Sequence, residues 1–438
     1  MTPAFEDANE VDTFDAVVLG AGISGLVSAS VLARQGYRRI LVIDEYDHIG
    51  GNHIDHSCDG YTFDVGSLIF QDDSPLLEHF PELLPLYVPI EPKWARLTPK
   101  GRISAYPISV RHDVLGAGPW GLGRIIGSVI FARLFQRRMR NAKEFARYWI
   151  GAYLLRCSGL ESYMKRFYGV AAEEIDIELA RKRMLWISEN ASLRSLIAKL
   201  FTRRRHQPGN RQMARPREGF ATLYHQAAIN LQRRGVTIEL GGELRSLRRV
   251  DRQFHLTLKR GTVVSDRLIS TIPIPRAEAL CGLNSAHKLE TITLIALYFS
   301  FSGKRGFAES VIYNFSHEGA WKRLTVYSDF YGRVRGREYF TAEVIADNLT
   351  NSIELAEHNF RQHVWVNGLF VGDLKLEASQ TLESAYPIYR KGAAQRAAEA
   401  GLKLRAFGIE SFGRQGGFNY QPTARTSTLE AEAALQNP

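Results

Sequence analysis

The feature that most constrains this chain is a glycine turn set between two apolar runs. Residues 15–19, DAVVL, lead into Gly20-Ala21-Gly22-Ile23-Ser24-Gly25, and LVSASVLARQG then carries apolar positions at helical spacing up to Gly36. A second apolar run, residues 39–43, closes on Asp44. Strand, glycine turn, helix and strand in this order make a βαβ unit with the dinucleotide-binding fingerprint in its expected context. Gly20 permits the tight turn, Gly22 lets a pyrophosphate approach the backbone, and Gly25 lets helix pack on strand. Amides at the start of the helix, from Ile23 and Ser24 onward, then face phosphate charge, and the Asp44 carboxylate can accept a hydrogen bond from a ribose hydroxyl.

A chain of 438 residues has room for two or three domains. With 45% hydrophobic and 23% charged residues, disorder and low-complexity scaffolds are excluded. Lys and Arg exceed Asp and Glu by 56 to 46, and this net charge of +10 favours an anionic cofactor, substrate or surface. The cysteines, Cys58, Cys157 and Cys281, are widely spaced and give neither a disulfide framework nor a zinc knuckle, so a reducing cytoplasm fits best. The opening MTPAFEDANEVDT lacks the basic and apolar regions of a signal peptide and reads as a loose lead-in.

The most apolar stretch, residues 122–135, is interrupted by Arg124 and Arg133 and falls short of an uninterrupted membrane span. It reads as a core helix with a solvated basic end formed by Arg137, Arg138 and Arg140, and peripheral membrane contact is the less favoured alternative. Residues 75–210 carry long helical patterns rich in arginine and aromatics. The run 202–217, TRRRHQPGNRQMARPR, reads as an exposed linker, and without interleaved aromatics it gives no reason to expect nucleic acid. Strand-like runs return at VTIEL, FHLTL and RLISTI, and residues 290–375 alternate as in an antiparallel sheet. Ser427 and Glu430 have the spacing of a capping box opening a last helix.

The glycine turn, IDEYDHIGGN with Gly50-Gly51, DGYTFDVGSLIF at 59–70, ISTIP at 269–273 and GRQGGFNY at 413–420 together resemble the FAD-dependent amine oxidase, protoporphyrinogen oxidase and UDP-galactopyranose mutase superfamily. The resemblance covers most of the chain. It implies an α/β fold: an FAD-binding Rossmann-like domain of the glutathione-reductase type from residues 13–75, 213–285 and 400–438, and a mixed α+β substrate domain from 76–212 and 286–399. Cofactor contacts are expected at Gly20, Gly22, Ile23, Ser24, Gly25, Asp44, Glu45, Gly50, Gly51, Asn52, Leu244, Gly413, Arg414, Phe418 and Tyr420. The closing helix, beginning near residues 426–428, would aim its positive end at the flavin.

HIGGN and GRQGGFNY look mutase-like, whereas Gly66-Ser67-Leu68-Ile69-Phe70 lacks the mutase histidine, Pro422 replaces a mutase aspartate, and the tryptophan of the related YxxKxWG segment becomes Phe167 or Tyr168. Tyr313, Arg323 and Tyr386 are the candidate substrate contacts, the guanidinium being suited to phosphate or carboxylate. His53 and His56 lack a third ligand at a convincing spacing, and no metal is expected. No catalytic acid or base can be assigned. The expected activity is FAD-dependent oxidation of a small or medium-sized substrate by hydride transfer to flavin, in a bacterial polysaccharide or secondary-metabolite setting. The alternative is a non-redox mutase acting on a nucleotide sugar.

Overall fold

The apolar run ahead of the glycine turn becomes strand Val11–Leu19 in the computed structural model, which describes residues 11–66, 68–136, 138–183, 211–283, 289–347 and 350–436. This strand pairs in parallel with Ile40–Asp44 on one side and with Gly261–Ser270 on the other, and Val236–Leu240 adds a further parallel strand outside Ile40–Asp44. Antiparallel strands Gln253–Leu258 and Leu244–Val250 extend the sheet, and Glu410–Ser411 pairs with the end of Gly261–Ser270. Both faces are covered, which is why the central strands read as unbroken apolar runs. Ala16, Val18, Ile40 and Val42 face a core shared with helices Ile23–Arg34 and Ala424–Gln436, while Val17, Leu19, Leu41 and Ile43 face helices Ile274–Leu280 and Ala393–Phe407.

The second sheet is built on the long strand Thr291–Arg305, antiparallel to Phe370–Pro387 and to Glu338–Ile345. It continues through Trp321–Val326 and Val311–Asn314. The antiparallel reading of residues 290–375 therefore holds, but Trp94–Leu97 and Ile103–Ala105 also join, the first in parallel with Val311–Asn314. They fall in the stretch read as helical. Strands of four and three residues carry no measurable period, and tertiary pairing alone defines them. The expected helices follow as Gly118–Phe135, Ala142–Cys157 and Leu160–Tyr168.

Two readings are corrected. Residues 211–217 are not an exposed linker: Gln212–Ala214 pairs with Ile69–Gln71 and with Val88–Pro89, and Arg215 is fully buried. Its guanidinium forms an ion pair with Asp64 and donates to the carbonyls of Thr62 (2.7 Å) and Pro216 (2.6 Å). A fully buried carboxylate needs such a cation, and burial, which outweighs Arg215, still pushes Asp64 up to about 6. Residues 202–210 of that run lie outside the described ones. Helix Gly118–Phe135, in turn, is not a core helix, since only Gly121, Ile125, Val129 and Ala132 are buried.

Candidate active site

The glycine turn carries the first half of the site. Gly20 has φ +101°, and a Cβ on Gly25 would stand 1.8 Å from the Gly20 carbonyl oxygen, so turn and helix close only with glycine at both positions. Gly50 donates its N–H to the Ala21 carbonyl at 3.0 Å, and a Cβ there would meet the Tyr224 ring at 2.5 Å. Gly22 differs, because a Cβ on it would touch only Gly51, at 3.7 Å. Nothing in the protein itself requires that side chain to be absent. Gly22 also begins helix Ile23–Arg34, with no side-chain cap and no acidic residue in the first turn. An anion fits this bare, positive helix end.

Asp44, buried at the end of its strand, accepts from the N–H groups of Ala21 (2.6 Å) and Tyr46 (3.0 Å). Burial, outweighing these bonds, pushes its carboxyl up. Glu45 is turned away and forms an ion pair with Arg276, which also donates to the Leu244 carbonyl at 2.9 Å. Leu244 packs its side chain in the core, and neither it nor Glu45 lines the cleft. The lining, a cavity of about 150 Å³, brings together Gly20, Gly22, Ile23, Ser24, Asp44, Gly50, Gly51, Asn52 and Arg414. Of the remaining expected contacts, Gly413 sits behind Ser24, Tyr420 stands in the adjoining chamber, and Phe418 lines a separate cavity with Tyr389.

The carboxy-terminal segment is held differently from the expectation. The closing helix starts at Ala424, ahead of Ser427, and Thr423 Oγ1 accepts from the Thr426 N–H at 3.3 Å. Ser427 is buried and donates to Gln421 Oε1 at 2.7 Å. Glu430, freed from a capping box, accepts from Gly413 N–H (3.1 Å), Asn419 (2.7 Å) and Gln421 (2.5 Å). It thereby clamps the loop that presents Arg414, whose guanidinium donates to the Gln421 carbonyl at 2.7 Å.

Asn52, His53, Arg414 and Gln421 line both the cleft and a second cavity of about 220 Å³. Tyr313, Arg323 and Tyr386, drawn from three different strands, all line this chamber, with Phe167 and Tyr168 from the helical layer and Leu68, Ile69 and Phe70 on the apolar wall. Lys322 and His53 are two of the lining residues that the sequence reading did not name as contacts. Lys322 pairs with Glu343 (2.8 Å), as Arg323 does through Nε (2.8 Å). Adjacent strand residues normally face opposite ways, but the ladder slips between Trp321 and Arg323, and this bulge lets consecutive cations reach one carboxylate. Burial pushes Glu343 up, yet the charges of Arg323 and Lys322 prevail and hold it below the usual range.

His53 is the other, and the metal spacing test was the only signal it gave. It stacks on Phe220 (4.7 Å between ring centres) and its Nδ1 meets the Tyr224 hydroxyl. The exposure it keeps opens onto the two cavities; burial, and then Arg414, lower it to about 3, so the ring is neutral. His363 is lowered to about 4 by burial and then by Arg166, and accepts from Trp321 Nε1–H at 2.9 Å; burial also lowers His79. The unfolded chain takes up protons on these rings near the ordinary 6.5 while the folded one does not. Stability is therefore full above that value and is lost as pH falls through 6.5 toward 4. Each such histidine should contribute a slope of about 1.4 kcal/mol per pH unit to thermal melts, opposed below about pH 6 by the raised carboxyl of Asp64, and a pH slope left unchanged by His363→Gln would show that ring to be accessible.

A glutathione-reductase-type nucleotide domain with a double-glycine cleft opening onto an aromatic chamber defines an FAD-binding flavoenzyme. Residues 139–343 match the flavin containing amine oxidoreductase family, and residues 18–82 match the NAD(P)-binding Rossmann-like domain, the features of an amine oxidase-like flavoprotein. Its cofactor is FAD. Among curated proteins, prolycopene isomerase 2 of an Oncidium hybrid cultivar is 47% identical over 60 residues, which are 14% of this chain and only 10% of that protein. Among solved structures, reduced UDP-galactopyranose mutase is similar with a TM-score of 0.79 at 17% identity, covering 96% of this chain and 93% of the other. A cofactor-binding variant of putrescine oxidase is similar with a TM-score of 0.64 at 14% identity, covering 98% and 99%. Identities this low speak to the fold.

Proposed function

We propose that the protein is an oxidoreductase that takes an anionic, small or medium-sized substrate into the aromatic chamber and removes a hydride from it. Bound FAD supplies the hydride acceptor. The observation that carries this reading is charge: Lys322, Arg323 and Arg414 against the one carboxylate of Glu343 leave a net +2, three minus one, around a partly apolar chamber. A phosphate or carboxylate is the natural counter-ion. The Tyr386 ring lies 4.7 Å from Lys322 Nζ and 5.4 Å from the Arg414 guanidinium, so it fixes both cations. Leu68, Ile69, Phe70 and Phe167 exclude water, and neutral His53 offers a hydrogen bond without a charge. No Asp or Glu stands among the described lining residues, in keeping with catalysis by positioning.

The second reading, a non-redox mutase acting on a nucleotide sugar, is supported by Asn52, Arg414 and Tyr420 in the lining, where the mutase-like motifs place them. Against it stand Pro422 and the apolar wall at Leu68, Ile69 and Phe70. The test is anaerobic mixing of FAD-loaded protein with amines and alcohols that carry a carboxylate or phosphate. Bleaching of the flavin bands by one of them, with oxygen consumption on admitting air, is the expected result. Turnover seen only after dithionite, with no peroxide formed, would overturn it in favour of the mutase.

A further inference from the structure

Helix Gly118–Phe135 is apolar on both sides. Its inner stripe, Gly121, Ile125, Val129 and Ala132, is buried toward helix Ala142–Cys157, with Leu122 and the flanking Arg124 and Arg133 packed beside it. The outer arc carries Trp120 at 90% exposure, Ile130 at 51%, Phe131 at 56%, Leu134 at 57% and Phe135 at 72%. Leaving that much aromatic and aliphatic surface in water is costly, and contiguous patches of this kind mark a binding surface.

The charges around the patch select its occupant. Between Asp113 and Glu144 the sequence contains no acidic residue. Arg124 is exposed at one flank with its guanidinium over the Tyr153 ring (5.8 Å), Arg133 sits at the other against the Trp149 ring (5.9 Å), and Arg138 is exposed just beyond the helix end. Large rings at both ends of an apolar stripe, with cations at its border and none of the opposite sign, suit the headgroup boundary of an anionic bilayer better than a protein surface. The stretch His112–Phe135 is long and apolar enough to cross a membrane, but Arg124 lies within it and the inner stripe is already engaged in packing. Helix Gly118–Phe135 spans about 27 Å at 1.5 Å per residue, and it can lie flat.

We propose that this helix docks the protein on an anionic lipid surface, with Trp120, Ile130, Phe131, Leu134 and Phe135 in the acyl boundary and the arginines at the headgroups. The inference is independent of the reaction assigned to the chamber. It is tested by co-sedimentation of the FAD-loaded full chain with vesicles of phosphatidylcholine alone or mixed with phosphatidylglycerol. The expected result is binding to the mixed vesicles that weakens in high salt and drops about tenfold or more in Phe131→Asp/Phe135→Asp and in Arg124→Glu/Arg138→Glu. Retained flavin absorbance and an unchanged melting temperature would show those variants to be folded. Absence of sedimentation with mixed vesicles at low salt overturns the proposal, as does binding that both variants leave intact. Concentration-dependent dimerisation abolished by Phe131→Asp/Phe135→Asp, without vesicle binding, also overturns it and assigns the face to a second copy of the chain.

Discussion

Gly22→Val is expected to give a folded protein that purifies colourless. The backbone there, φ −72° and ψ 179°, is open to any residue, and a Cβ meets only Gly51 at 3.7 Å, so the unliganded chain has little reason to unfold. The valine methyls instead fill the space through which a diphosphate reaches the amides at the helix start. FAD affinity should fall by about a hundredfold or more, read from the flavin-to-protein ratio and from titration with added FAD. Gly25→Val is the control with the opposite signature. Its Cβ falls 1.8 Å from the Gly20 carbonyl oxygen, and the turn itself must break, so soluble yield and melting temperature should fall along with flavin. If Gly22→Val retained stoichiometric FAD, the assignment of this turn to the cofactor would be wrong.

The second large effect is expected at Glu343. Replacing it by glutamine leaves Lys322 and Arg323 almost fully buried beside each other with no counter-charge, a class of change that costs about 3–5 kcal/mol. The melting temperature should fall by many degrees. Because the cost lies in the orphaned cations, Glu343→Gln combined with Lys322→Met should be more stable than Glu343→Gln alone. A single variant within about 1 kcal/mol of the parent would mean that water or rearrangement neutralises the pair, and the net positive charge assigned to the chamber would have to be withdrawn.

What could be read in the sequence was what depends on neighbours along the chain. The βαβ unit announces itself within thirty-odd residues, because its glycines, its helical period and Asp44 are all locally spaced. Tyr313, Arg323 and Tyr386, named as candidate contacts from residue chemistry, line one chamber. The misses share a cause. Alternation along a strand sends Lys322 away from Arg323, and only the slip against the neighbouring strand turns it inward. Arg215 sits in a run that composition marks as linker, yet Asp64, far away in sequence, determines where it goes. Ser427 and Glu430 match a capping pattern, but the helix had already begun at Ala424, and both side chains serve the preceding loop instead. Glu45 follows the acidic position that matters, and Arg276 draws it off.

The Glu430 clamp also orders events during synthesis. Gly22 is made well before the loop bearing Arg414, and that loop is tied down by Glu430 through Gly413, Asn419 and Gln421 and by the pairing of Glu410–Ser411 beside Gly261–Ser270. Until residues 410–430 emerge from the ribosome, the nascent dinucleotide fold lacks the wall of its cleft that Arg414 supplies. Closure of the cleft is thus timed by the synthesis of residues 410–430 rather than by that of the glycine turn.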